Sequence, residues 1–386
     1  MAAVGRGDVA ALADTLKGDS SKGREEIAAF AISTQGLSAL AARCAGVEAL
    51  PGPLSEFLLE ESPRAGARAR RLRATLEETV RALRAVGVEV VALKGAALAF
   101  FHYEEASCRP MGDLDLLLEE PLDLEQATKA LAGAGWVALF DTKRHRVFAR
   151  RDEKIVRPAS EDPDNPIRLE LHTSFRLPVL GCVYDASAQL RARAETRNLG
   201  GTPVAIAAGS ALLTHLLFHA AEDFAGNGIR GIQAHDFRLL ARAHGVLAPE
   251  IPEDSKDSGN SSNERGEERA QTVAPLLYAA DAIERLFPLT FEGTFLSALA
   301  SRVPPELRRR AAVLPALRYT RPTRGWTRTL LTLLDGPLPR ARFVARTLFP
   351  GLGEVRANAA PGASGVGLVA AWIRVLARRL ARAFRI

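Results

Sequence analysis

The feature that most constrains this chain is a change of apolar period near residue 87. From Arg64 to Val86, Leu72, Leu76, Val80 and Leu83 recur three and four residues apart. That is one stripe of an amphipathic helix, with its arginines solvated on the opposite side. Val88-Glu-Val-Val-Ala-Leu93 then reads as a strand, because β-branched residues suit a pleated surface. Lys94-Gly95 turns the chain, and Ala96 to Tyr103 reads as a short helix. Asp113-Leu-Asp-Leu-Leu-Leu118 alternates with a period of two, and Pro121 stops it. Asp123 with Gln126 three residues on predicts a capping box for a helix to about Ala134. Short strands follow at 136–140, 145–149 and 167–172. A further helical stretch covers 24–48, with Ala28, Ala31 and Leu40 at its small apolar positions. This order predicts an α+β fold: a small mixed sheet with flanking helices.

Beyond Pro203 the pattern turns helical. Leu212, Leu213, Leu216, Leu217 and Ala220 form a stripe, a second helix lies around 233–244, and helical segments return near 273–287 and 292–301. Residues 249–272 are rich in Ser, Asn, Glu and Gly with almost nothing apolar, which predicts a disordered insertion. The expected organisation is a helical region at 1–75, an α+β core at 76–200, a helical domain at 201–335 interrupted by 249–272, and an arginine-rich segment at 336–386.

Composition narrows the class. Among 386 residues, 47% are hydrophobic and 25% charged, which excludes a mainly disordered chain. Cys44, Cys108 and Cys182 form no CxxC, so a disulfide scaffold or zinc ribbon is excluded and a reducing cytosol fits. Arg6, Asp8 and Asp14 interrupt what would be an export signal. The longest uncharged run, Val204 to Ala221, contains Ser210, Thr214, His215 and His219 and reads as a buried helix rather than a membrane span. The expected location is cytoplasmic. Charge is unevenly spread: Ser301 to Ile386 holds 17 Arg, no Lys and three acids, a net of +14, against −8 for the remainder. Such asymmetry points to a polyanionic partner or surface.

The residues that carry chemistry cluster on the predicted strands. Side chains at i and i+2 share a face, so Asp113 and Asp115 project together while Leu114 and Leu116 enter the core. Two adjacent carboxylates repel unless a cation neutralises them, and Mg²⁺ is the usual one at phosphates. On 167–172, Leu169 and Leu171 point inward and leave Glu170 and His172 on the other face. If the strands are neighbours, Asp113, Asp115 and Glu170 form a carboxylate triad able to hold two metal ions. Taken alone, Asp-x-Asp is a common solvated strand face. What distinguishes it here is the preceding Lys94-Gly95-Ala96 turn at a helix start, whose N–H groups suit an anion, with Lys94 adding a cation for a triphosphate.

Leu93-Lys-Gly-Ala-Ala-Leu98, Arg109-Pro-Met-Gly-Asp-Leu-Asp-Leu-Leu-Leu118 and Leu169-Glu-Leu-His172 together resemble the uncharacterised nucleotidyltransferase family of the polymerase-β-like superfamily. Leu212 to His219, Asp236 and Arg346-Thr-Leu-Phe-Pro350 resemble its later signatures. The resemblance implies a polymerase-β-like nucleotidyltransferase core plus a helical domain, and transfer of an NMP group from an NTP with release of pyrophosphate. It implies two Mg²⁺ ions, with Mn²⁺ as a substitute, on Asp113 and Asp115, with Glu170 as the third acid. Lys94, Gly95 and Ala96 would bind the nucleotide, although Lys94-Gly95-Ala96 lacks the hydroxyl of the superfamily's Gly-Gly/Ser loop; Arg109 either joins them at a phosphate or anchors its own loop. The acceptor hydroxyl or phosphate would belong to a biosynthetic small molecule, peptide or glycan intermediate, in a pocket touching His172, His219 and Asp236.

Two other readings stand beside it. His215 and His219 lie one helical turn apart, with His235-Asp236 on the next helix, which suits either an HD-type metal phosphohydrolase or plain helix packing. A non-catalytic nucleotide-binding or membrane-docking protein is the other. For the last, residues 365–386 place Trp372, Val375, Leu376, Leu380 and Phe384 near one side and Arg374, Arg378, Arg379, Arg382 and Arg385 around the other. Such a basic amphipathic helix suits peripheral contact with an anionic inner membrane surface.

Overall fold

The computed structural model describes residues 36–43, 50, 52–142, 144–151, 162–179, 182–226, 229–244, 276–284, 294–301 and 365–383, with isolated positions at 303, 305, 308, 340, 344 and 355. The expectations for most of 24–48, for 249–272 and for Arg346–Pro350 lie outside the described residues.

The helices used below are α1 (Ser38–Arg43), α2 (Gly52–Arg84), α3 (Lys94–Phe101), α4 (Leu124–Gly133), α5 (Ser187–Ala192), α6 (Gly209–Gly226) and α7 (Gly231–His244). The strands are β1 (Val90–Ala92), β2 (Asp113–Leu118), β3 (Trp136–Asp141), β4 (His145–Arg150), β5 (Arg168–His172), β6 (Arg176–Val179), β7 (Cys182–Asp185), β8 (Ala194–Leu199) and β9 (Thr202–Ala207). Seven of them form one mixed sheet in the order β3-β4-β5-β2-β1-β9-β8, and β6 pairs with β7 separately. The α+β class read from the sequence holds, with a larger sheet.

The centre of the sheet positions the site. β2 runs parallel to β5, with Asp115 opposite Glu170 and Leu116 opposite Leu171. β1 lies antiparallel to β2 and parallel to β9. Leu114, Leu116, Leu169 and Leu171 are completely buried, as the period of two requires.

α2 begins earlier than its apolar stripe suggests and carries Pro63 within it. Leu54, Leu58, Leu72, Leu76, Val80 and Leu83 make its buried face. The expectation that its arginines are solvated fails at Arg68, which is only 2% exposed. Its guanidinium donates to the carbonyls of Asn165 (2.6 Å), Gly112 (2.9 Å) and Pro166 (3.1 Å). Burial is tolerable because the guanidinium fork meets several carbonyls at once. Arg68 thereby ties the residue before β2 to the residues before β5.

The capping box at Asp123 does not form. Residues Pro121–Asp123 make a 3-10 turn, Asp123 gives no side-chain cap, and Gln126 instead donates to the Val86 carbonyl. The uncharged run from Val204 is also not one helix. Its first part is β9, joined to β8 across Gly200-Gly201, with Leu199 paired to Thr202. Both glycines have positive φ (57° and 91°), as a tight hairpin turn requires. α6 starts only at Gly209.

In the helix Val366–Ala383, the side expected to meet a membrane is the more enclosed one. Val375 and Ala371 are buried and Trp372 and Leu376 half-buried, while Val366, Val369 and Ile373 are exposed. Among the described residues no helix is long and apolar enough to cross a membrane.

Candidate active site

Leu93 at the end of β1 leads directly into α3, and its N–H donates to the Asp115 carbonyl at 3.0 Å. Lys94, the first residue of α3, has φ of 46°, a left-handed conformation uncommon for a lysine. Such strain is held where the surroundings over-determine it. Here the ammonium donates to Asp115 Oδ1 at 2.8 Å and stands 5.3 Å from the centre of the Phe175 ring. Lys94 thus pairs with Asp115 while also lining the cavity that Asp113 and Asp115 face.

Gly95 has a steric reason. A Cβ there would come within 3.1 Å of Met111 Sδ and 3.2 Å of its Cβ. Ala96 lies in the core, 1% exposed, and its N–H is spent on the Leu93 carbonyl at 3.1 Å. The turn thus offers fewer open N–H groups than its sequence suggests.

Asp113 and Asp115 face one cavity of about 660 Å³, whose wall also includes Lys94, Gly95, Arg109, Arg168, His219, Arg230 and Asp236. Glu170 stands beside Asp115 through the β2–β5 register. His172 reaches Asp115 Oδ1 with Nε2 at 2.9 Å, and the same nitrogen is 3.6 Å from Glu170 Oε2. The sequence-derived acids and His172 are therefore assembled.

Their electrostatics are divided. Burial, followed by the neighbouring Asp115 charge, raises the Asp113 pKa. Asp115 is held well below the ordinary carboxylate range: burial opposes this, but the Lys94 ammonium and His172 outweigh it. Glu170 is pushed up to about 7 by burial and then by Asp115. Lys94 is raised, the acidic neighbours overcoming its burial. Around the three carboxylates stand the Lys94 ammonium and, on the cavity wall, the guanidinium groups of Arg168 and Arg230. Carboxylate oxygens are the donors a hard divalent cation takes, and such an ion would offset the repulsion between Asp113 and Asp115.

Arg109 and Asp236 belong together. Arg109 Nε donates to both Asp236 oxygens, at 2.9 and 3.0 Å, and Tyr103 Oη donates to Oδ1 at 2.7 Å. Arg109 Nη1 takes the Pro110 carbonyl at 2.7 Å. This buried knot pins the loop before β2 to α7.

The helical histidines make no comparable centre. His215 is fully buried, neither ring nitrogen has a hydrogen-bond partner, and its ring meets Phe175 edge-on at 4.2 Å. Burial drives its pKa well below the ordinary value. Burial, then Lys94, lowers His219 to about 4.

Sequence reasoning missed several participants. Arg168 and Arg230 line the cavity, and both Arg109 and Arg230 oppose the rise at Asp113. The sequence signal for Arg230 lies three residues on: Gln233 Oε1 accepts from the Arg230 N–H at 2.8 Å, capping the start of α7. His145 was also missed. It pairs with His172 across β4 and β5, and burial, then His172, lowers its pKa to about 3. Among the described residues, the group of three metal-capable side chains whose ligand atoms all lie within 4.8 Å is His145, Glu170 and His172.

No curated protein matches the sequence. A solved structure, the antigenic nucleotidyltransferase-like protein from Paracoccidioides brasiliensis, is 14% identical, with a TM-score of 0.36, and the match covers 61% of this chain and 95% of that one. The model of a family described as uncharacterised nucleotidyltransferase matches residues 25–254, more than half of the sequence, and the chain belongs to that family.

Proposed function

We propose that this protein is a divalent-metal-dependent nucleotidyltransferase, moving an NMP group from an NTP to an acceptor hydroxyl or phosphate. The observation that carries the reading is the β2–β5 register, which sets Glu170 beside Asp115 while Asp113 and Asp115 face a cavity of about 660 Å³. That volume lies in the range of small-molecule sites.

Asp113, Asp115 and Glu170 would hold Mg²⁺, which when bound neutralises triphosphate charge and polarises the α-phosphorus. Arg168 and Arg230 on the cavity wall supply further positive charge for phosphate oxygens. Lys94 keeps Asp115 ionised and oriented. Glu170, beside Asp115 on the paired strand, would also take up the proton of an acceptor hydroxyl. The acceptor oxygen forms a bond to the α-phosphorus, the bond from that phosphorus to the β-phosphate bridging oxygen breaks, and pyrophosphate leaves with its electron pair. Most of the acceleration comes from positioning and charge complementarity.

Asp236 serves as the anchor of Arg109, which leaves His219 on the cavity wall as the acceptor-side histidine. Peripheral contact with an anionic membrane through 365–386 would use exposed Val366, Val369 and Ile373. Loss of vesicle co-sedimentation on deleting 365–386 supports that contact, and unchanged co-sedimentation refutes it.

The test of the reaction uses α-³²P-labelled NTPs with a small-molecule and macromolecular extract as acceptor source. Wild type should release labelled product and pyrophosphate, and Asp113→Asn should lose activity by about a hundredfold or more. Because Asp113 carries an unfavourable charge, that variant should fold at least as stably as wild type. Equal turnover by wild type and Asp113→Asn refutes the assignment.

A further inference from the structure

We propose that His145, Glu170 and His172 form a transition-metal site of two imidazoles and one carboxylate, adjoining the Asp113–Asp115 face. The site would take a first-row ion such as Mn²⁺, Fe²⁺, Co²⁺ or Zn²⁺. It goes beyond the nucleotidyl-transfer reading, because it needs no nucleotide and does not require Asp113.

Backbone register builds it. Glu170 and His172 share one face of β5 by their i, i+2 spacing, and His145 is directly opposite His172 on antiparallel β4. Both imidazoles bring Nε2 near one oxygen: Glu170 Oε2 lies 3.7 Å from His145 Nε2 and 3.6 Å from His172 Nε2, which bonds Asp115 Oδ1 at 2.9 Å. These distances are too long for hydrogen bonds. They are close to the spacing of two ligands on one ion, about 3.4 Å for a tetrahedral centre with bonds of ~2.1 Å. Small side-chain adjustments would therefore complete the coordination. The rings are also in contact, with centroids 4.8 Å apart.

The surroundings orient these ligands. His145 Nδ1 lies 3.2 Å from Thr142 Oγ1, whose position is fixed by the N–H groups of Arg144 (3.1 Å) and His145 (3.0 Å). A partner on the distal ring nitrogen is the usual support of a metal-bound histidine, and it leaves the Nε2 lone pair free for the ion. On His172, ligation through Nε2 replaces its contact with Asp115, which retains the Lys94 ammonium at 2.8 Å.

The donor set decides the class of ion. Mg²⁺ prefers oxygen ligands in a rigid octahedron, whereas affinity at nitrogen-containing sites rises from Mn²⁺ to Cu²⁺ and falls again at Zn²⁺. Two nitrogens out of three therefore select against Mg²⁺. Glu170 belongs to both arrangements, so an ion here sits at the edge of the proposed reaction centre.

The experiment titrates the full-length, metal-free protein with Co²⁺ in millimolar Mg²⁺ without nucleotide, following visible d–d absorption and calorimetry. One equivalent should bind, His145→Gln should weaken binding at least tenfold, and Asp113→Asn should leave it within about twofold. Pulsed EPR of Mn²⁺-loaded or Cu²⁺-loaded wild type gives a readout that needs no variant, through imidazole nitrogen couplings. Absence of those couplings, displacement of Co²⁺ by Mg²⁺, or binding lost in Asp113→Asn but intact in folded His145→Gln would overturn the site. Failure of NTP binding or transfer, by contrast, would sink only the proposed reaction.

Discussion

Replacing Asp236 with alanine should destabilise this protein severely, for a reason unrelated to substrate. The side chains of Arg109 and Asp236 are 9% and 2% exposed. Asp236→Ala removes two contacts from Arg109 Nε and one from Tyr103 Oη, and leaves a guanidinium in the interior with its charge unpaired. Removing one partner of a buried ion pair costs about 3–5 kcal/mol, consistent with the ~1.5–3 kcal/mol of each hydrogen bond to a charged group. With about 4 kcal/mol lost and an m-value near ~3 kcal/mol/M, the urea midpoint should fall by about 1.3 M. Removing both charges in Arg109→Met/Asp236→Leu should recover most of that loss, because no uncompensated charge remains. Urea unfolding followed by circular dichroism reads both effects. A shift below about 0.3 M for Asp236→Ala would refute the anchoring role. Lost turnover at unchanged stability would instead move Asp236 into substrate handling.

Gly95→Ala should repack Met111, which stands 3.1–3.2 Å from the new methyl group. The expected cost is about 1–2 kcal/mol after the helical preference for alanine is counted, read as a lower melting temperature. Stability should fall as pH drops from about 6.5 towards 4. His219 stays neutral in the fold down to about 4, whereas the unfolded chain takes up its proton near 6.5. A quarter of that side chain is exposed, so the contribution is below about 3 kcal/mol. His219→Gln should flatten the melting-temperature profile in that window, and an unchanged profile contradicts the assignment. Glu170 must be ionised to bind a cation, so divalent-ion affinity should weaken by up to about tenfold per pH unit below 7. Calorimetric titration should show this slope in wild type and lose it in Glu170→Gln.

Much of the centre was legible from local pattern. Alternation in Asp113–Leu118 and in Leu169–His172 assigns each acid to a face, and only pairing had to be supplied by the fold. Partners distant in sequence were not legible. Arg68 looks like any solvated helical arginine until α2 is laid against Gly112 and Asn165, 44 and 97 residues away. His145 gains significance only from its register with His172. The β8–β9 hairpin at Gly200-Gly201 was not read, because the uniform apolar run after Val204 masks the change from strand to helix. Arg109 has a partner that no local pattern announces, since its salt bridge is to Asp236, 127 residues on.

The most direct test of the central claim is a thermal-shift panel of ATP, GTP, CTP and UTP, with and without Mg²⁺, on wild type and Asp113→Asn. A nucleotide at a hundred times its Kd stabilises the fold by about 2.7 kcal/mol, well within detection. A cation-dependent shift with at least one NTP, lost in the variant, is the predicted result. No shift with any NTP, or an equal shift in Asp113→Asn, would contradict a nucleotide site built on these carboxylates.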